Sequence, residues 1–123
     1  MDVINITKDS VLSENTRLSK SLFSVFMGLM FSRPSDMVLE MKRDSILGTE
    51  IHMFFMKFPI DIVWVNSKMK VVDVKKGVPP ARFSNLKTIR FYKPIKPARY
   101  VVELGTGKIG NTEIGDTIGF KQQ

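Results

Sequence analysis

Short stretches of alternating apolar and polar residues dominate this chain, and they set its expected elements. Around Val3, Ile4 and Ile6, residues Asp2–Lys8 predict a first strand, followed by a polar segment from Asp9 to Asn15. Leu18, Leu22, Val25, Phe26 and Leu29 recur at three- and four-residue spacing. That predicts a helix over roughly Arg17–Met30, capped by Asn15 or Thr16 and finished before Pro34. Met37, Leu39 and Met41 share one face of a second strand, Met37–Lys42, and a turn region around Gly48 follows. The stretch Glu50–Asn66 is the most apolar. After Pro59, Ile60, Ile62 and Trp64 fall on one side and Asp61, Val63 and Val65 on the other, which predicts a central strand covered on both faces. Asp61 then stands among apolar neighbours, where an ionised carboxylate needs partners.

Ser67-Lys68 connects this strand to a hairpin partner at Lys70–Val74. From Gly77 to Pro97 the alternation fails, with four prolines, and an extended surface loop is expected with a short pairing segment at Thr88–Tyr92. Arg99–Leu104 predicts the next strand, Gly105–Gly115 a glycine-rich turn, and Thr117–Phe120 a last short strand. The expected fold is one domain over residues 1–123, mainly β with a minor α+β character. It reads as an antiparallel β-sandwich or partly closed barrel with one helix packed on it.

Charge changes this picture more than composition does. The chain carries 19 basic and 12 acidic residues, a net charge of +7. Between Val74 and Val102 there is no acidic residue, yet Lys75, Lys76, Arg82, Lys87, Arg90, Lys93, Lys96 and Arg99 all fall there. This one segment supplies the whole excess, which bears on partners rather than on fold. With no cysteine and one histidine, disulfides, thiolate chemistry and the usual zinc or iron–sulfur sites are excluded, and no metal or cofactor is expected. No apolar run approaches the ~20 residues of a membrane helix, and the first residues lack a basic-then-apolar leader pattern. The expected location is cytoplasmic, with no membrane partner.

Four groups of residues invite a chemical reading. Gly105-Thr106-Gly107-Lys108 looks like part of a phosphate loop. The Walker pattern, however, needs glycine where Val102 stands and a hydroxyl residue where Ile109 stands, so a turn is expected. His52, Asp61, Glu50, Arg99 and Glu103 form a second set. A histidine beside a carboxylate can act as a general base on water. The same residues can instead satisfy one another inside a sandwich, with Asp61 and Glu103 paired to His52 or Arg99. The methionines, Met53 and Met56 among them, suit an adaptable pocket or a soft metal site, but core filling is expected. Finally, Lys87, Arg90, Phe91, Tyr92, Lys93 and Lys96 interleave cations with aromatic rings, as a groove that follows a nucleic-acid backbone would.

Several segments, in order, resemble the domain-of-unknown-function family 192, small proteins of archaea and bacteria. They are Gly28-Leu29-Met30-Phe31, Ile51-His52-Met53-Phe54-Phe55-Met56 and Phe58-Pro59-Ile60-Asp61-Ile62-Val63. Lys70-Val71-Val72, Ala98-Arg99-Tyr100-Val101-Val102-Glu103-Leu104 with Gly107, and Ile114-Gly115-Asp116 complete the set. The resemblance implies a jelly-roll-like sandwich and no established activity. Three function classes follow. A non-enzymatic binding module with a basic face for nucleic acid or another polyanion leads, because no complete catalytic constellation is readable. A small cofactor-independent hydrolase using His52 and Asp61 is second, and a protein-partner scaffold third.

Overall fold

A computed structural model describes residues 1–20, 36–52, 58–79 and 91–122. The central sheet has five strands: β3 (Arg17–Ser19), β4 (Met37–Ser45), β9 (Ala98–Gly105), β6 (Ile60–Val65) and β7 (Val71–Val78), in that order. A second sheet places β1 (Asp2–Asn5) between β10 (Ile118–Lys121) and β2 (Ser10–Ser13). A two-stranded ribbon pairs β5 (Ile51–His52) with β8 (Phe91–Tyr92). The only helix among the described residues is a 3-10 turn at Leu47–Thr49.

The alternation of the central strands decides where the core sits. All six residues of β6 are buried, as a strand covered on both faces requires. On one face Ile60, Ile62 and Trp64 pack with Met37, Leu39, Val78 and Val101. On the other, Val63 and Val65 join Val38, Val102 and Leu104 and meet Val3, Leu12 and Ile118 of the three-stranded sheet. That contact makes the two sheets layers of one core. The Trp64 indole, fully buried, donates its N–H to the Thr49 carbonyl at 2.8 Å, so its polar atom is satisfied within the core. Val71 and Asp116 tie the sheets at one corner, where the Val71 amide donates to the Asp116 carbonyl at 2.9 Å.

The central expectations hold: the domain is mainly β, and Ile60–Val65 pairs antiparallel with both β7 and β9. Three differ. Arg17–Ser19 is not the start of a helix but an edge strand parallel to β4, so the central sheet is mixed rather than purely antiparallel. Leu18, expected on a core-facing stripe, is 46% exposed. The remainder of the expected helix, 21–30, lies outside the described residues. The polar segment after β1 contains a strand, β2, where Leu12 turns inward and Val11 outward. The strands described form no closed barrel.

Candidate functional site

Asp61 and Glu103 sit at adjacent positions of the central sheet and point to opposite faces. In the β6–β9 register Asp61 faces Leu104 and Ile62 faces Glu103. Leu104 belongs to the layer shared with the three-stranded sheet and Ile62 to the other. The expected polar set therefore does not assemble in one place.

Asp61, 1% exposed, is held by backbone alone among the described residues. Its Oδ1 accepts the Gly77 amide at 2.8 Å, and its Oδ2 accepts the amides of Gly107 at 2.8 Å and Ile109 at 3.3 Å. Gly77 and Gly107 have φ of +59° and +91°, left-handed conformations that an L side chain resists. Gly77 lies in an edge-strand irregularity: Ile60 pairs with Val78 but Ile62 pairs with Lys75. The glycine-rich loop after β9 thus forms an amide cradle, as phosphate loops do, but an internal carboxylate fills it. Both oxygens of Asp61 are thus engaged by backbone amides of loops far along the chain. His52 lies in β5, opposite Phe91, and its side chain is outside the described residues, as are Met53 and Met56.

Arg99 does not reach Glu103 either. Its Nε donates to the Met41 carbonyl at 3.0 Å and its Nη2 to Glu40 Oε1 at 3.4 Å, and the guanidinium lies 5.4 Å from the Tyr100 ring centre. Glu103 is left inside the apolar face between Met37 and Ile62, with Oε2 unpartnered among the described residues. Burial pushes its carboxyl up to about 7.

Two other aspartates, the half-buried Asp36 and the buried Asp116, also staple loops, with side-chain as well as backbone partners. Asp36 accepts the Gly105 amide at 2.8 Å and pairs with Lys108 Nζ at 2.6 Å, and Ser13 donates its hydroxyl to the same carboxylate. Burial opposes the charge on Asp36, but the hydrogen bonds from Lys108, Ser13 and Gly105 outweigh it and hold the carboxyl below its ordinary value. Asp116 is similar. Burial again opposes the charge, while Asn5, the Glu113 amide and Lys8 lower the value. Sequence reasoning missed Asn5, Asp36 and Asp116; the available signal was a polar residue beside a glycine turn or at an inward strand position.

With the geometry in place, comparison with known proteins settles the lineage. The model of the DUF192 family, described as Uncharacterized ACR, matches residues 4–120. The chain belongs to the DUF192 family. A UPF0127 protein of Thermococcus sibiricus is 33% identical over 123 residues, spanning 97% of this chain and 74% of the relative. Another from Pyrococcus furiosus is 30% identical over 123 residues, spanning 98% of each chain. A solved protein of unknown function from Novosphingobium aromaticivorans has a TM-score of 0.76 at 17% identity, over 97% of this chain and 82% of its own. A solved structure from Sinorhizobium meliloti 1021 has a TM-score of 0.72 at 16% identity, over 96% of this chain and 89% of its own. These two likenesses speak to the fold.

The basic segment of this DUF192 domain is described in part. Lys87 and Arg90 lie outside the described residues, as does the Phe91 side chain. Tyr92, half-buried, packs against the apolar layer around Trp64. Lys93 and Lys96 are exposed, and Ile95 between them donates its amide to the buried Asp73 carboxylate of β7 at 3.1 Å. Asp73 and Lys75 face Trp64 and Ile62 in the β6–β7 register, so they share one side of the sheet. That anchor ties the Lys93–Lys96 turn to Asp73, two residues before Lys75 on β7, while exposed Lys76 follows on the same edge strand and points to its other face. None of these four lysines forms an ion pair among the described residues. No helix of the described residues is long and apolar enough to cross a membrane.

Proposed function

We propose that this domain is a non-enzymatic binding module for a nucleic-acid backbone, with the basic edge along β7 as its contact surface. The observation that supports it is the Asp73–Ile95 hydrogen bond, which ties the Lys93–Lys96 turn to β7 on the face that also carries Lys75, with none of these lysines in an ion pair among the described residues. Tyr92 is half-buried against the core, so the mode rests mainly on lysines meeting phosphates. The hydrolase reading is less favoured, because the Asp61 oxygens already accept the amides of Gly77, Gly107 and Ile109. An edge strand bearing lysines also resists pairing with another sheet, so its charges serve solubility in the free protein.

The test is a fluorescence titration with a single-stranded oligonucleotide at two salt concentrations. Affinity is expected to fall with salt at a log–log slope of roughly −0.7 per phosphate neutralised. Reversing Lys75, Lys93 and Lys96 to glutamate is expected to abolish binding while the unfolding midpoint stays within about 0.5 kcal/mol, as for other exposed charges. Equal signals from the wild type and the triple reversal would show that these charges only solvate the surface.

A further inference from the structure

The opposite edge of the central sheet carries a second basic feature, separate from the β7 lysines because β3 and β7 stand at the two ends of the strand order. There a cleft of about 390 Å³ opens between Lys20, just after β3, the β4 residues Glu40, Met41 and Lys42, and Arg99 of β9. Its volume lies at the small end of ligand sites. Among the described residues, three cations and one carboxylate line it. Glu40 is shared: Oε1 meets Arg99 Nη2 at 3.4 Å and Oε2 meets Lys20 Nζ at 3.7 Å. It therefore sits between the two cations and leaves an excess of two positive charges among the described residues.

Arg99 is the ordered member. The Met41 carbonyl holds its Nε, Glu40 takes one Nη2 proton, and Tyr100 packs near its plane. A guanidinium has five N–H donors, so three remain without partners among the described residues, on a fork whose orientation is already fixed. That is the geometry that meets two oxygens of one oxyanion. Lys42, exposed and without an ion pair among the described residues, adds a mobile cation, while Met41 and the lysine stems give the cleft an apolar lining.

We propose that this cleft binds a small phosphate monoester in its dianionic form, with Arg99 as the bidentate anchor and Lys20 and Lys42 closing on the remaining oxygens. The two excess charges match a phosphomonoester above its second ionisation. The apolar lining suits a short organic group on the ester oxygen.

The test uses the full chain and phenyl phosphate as the probe, followed by amide chemical shifts at constant ionic strength, with sodium chloride as the control. Saturable shifts confined to residues 20, 40–42 and 99 are expected. Arg99→Lys keeps the charge but loses the fork, and is expected to weaken binding about tenfold or more, the cost of one good charge-assisted pair. Because Arg99 also ties down β4, Lys42→Gln is the second variant. It touches no described partner and is expected to weaken binding about threefold, as an exposed charge does. Absence of saturable shifts at these residues, or equal affinity in the wild type and both variants, would overturn the proposal. Lys75, Lys93 and Lys96 reversals are expected to leave phenyl phosphate binding unchanged, which separates the cleft from the polyanion edge.

Discussion

Replacing Asp61 with alanine is expected to destabilise the domain by about 2–4 kcal/mol, because three backbone donors lose a charged acceptor together. The Ile109 amide is buried and has nowhere else to donate, whereas Gly77 and Gly107 lie at the surface, where water replaces part of the loss. The total is therefore less than three full penalties. Asp61→Asn is expected to fall between alanine and wild type: it keeps one acceptor oxygen but turns an N–H₂ group toward a backbone donor. Urea unfolding reads both, with a lower midpoint and an unchanged slope if the fold is retained. An alanine variant as stable as the wild type would mean that the cradle around Asp61 contributes nothing net.

Glu103 gives the second large effect, and its sign is opposite to that of most carboxylates. Its ordinary value is 4.5, and burial raises it to about 7 in the folded protein. Between these two values the unfolded chain has released the proton while the folded one keeps it. Stability therefore falls as pH rises through that window, by about 3 kcal/mol in all, and levels off above pH 7. Asp36 and Asp116 act in the other direction, since their lowered values give stability that is lost as pH drops below the ordinary aspartate range. Greatest stability is thus expected near pH 4–5, on the acid side of the usual optimum. Glu103→Gln removes the proton from the balance. It is expected to match the wild type near pH 5 and to exceed it by up to about 3 kcal/mol at pH 8. Parallel pH profiles for the two proteins would show that Glu103 ionises freely in the fold.

The strands that sequence reasoning found are those whose inward residues are apolar on a strict two-residue repeat. Met37, Leu39 and Met41 in β4 and the Ile60–Val65 run are the clearest. The repeat failed where apolar residues were few. Leu18 fitted a helical stripe by spacing, yet three residues of backbone pairing with β4 decided its conformation. In β2 Leu12 is the only buried apolar residue, and Ser13 beside it is buried as well, so the segment gave no periodic apolar signal. The need of Asp61 for partners was readable from its apolar surroundings, but the partners were not. They are amides 16, 46 and 48 positions away, and backbone N–H groups carry no sequence signature. Glu103 and Asp61 looked like neighbours because β6 and β9 both alternate. Only the register of β6 on β9, set by long-range packing, reveals that they point apart.

The central place of β1 in the three-stranded sheet has a consequence for biosynthesis. Residues 2–5 are made more than a hundred residues before the strand that completes their hydrogen bonding on one side, residues 118–121. At usual rates of about 5–20 residues per second, β1 waits on the order of ten seconds for that partner. The β1–β2 hairpin can form early, but one edge of β1 stays open until residue 121 has left the ribosome. Completion of this sheet therefore waits for the far end of the domain. A chain stalled before that point offers an unpaired strand edge to whatever protein is nearby.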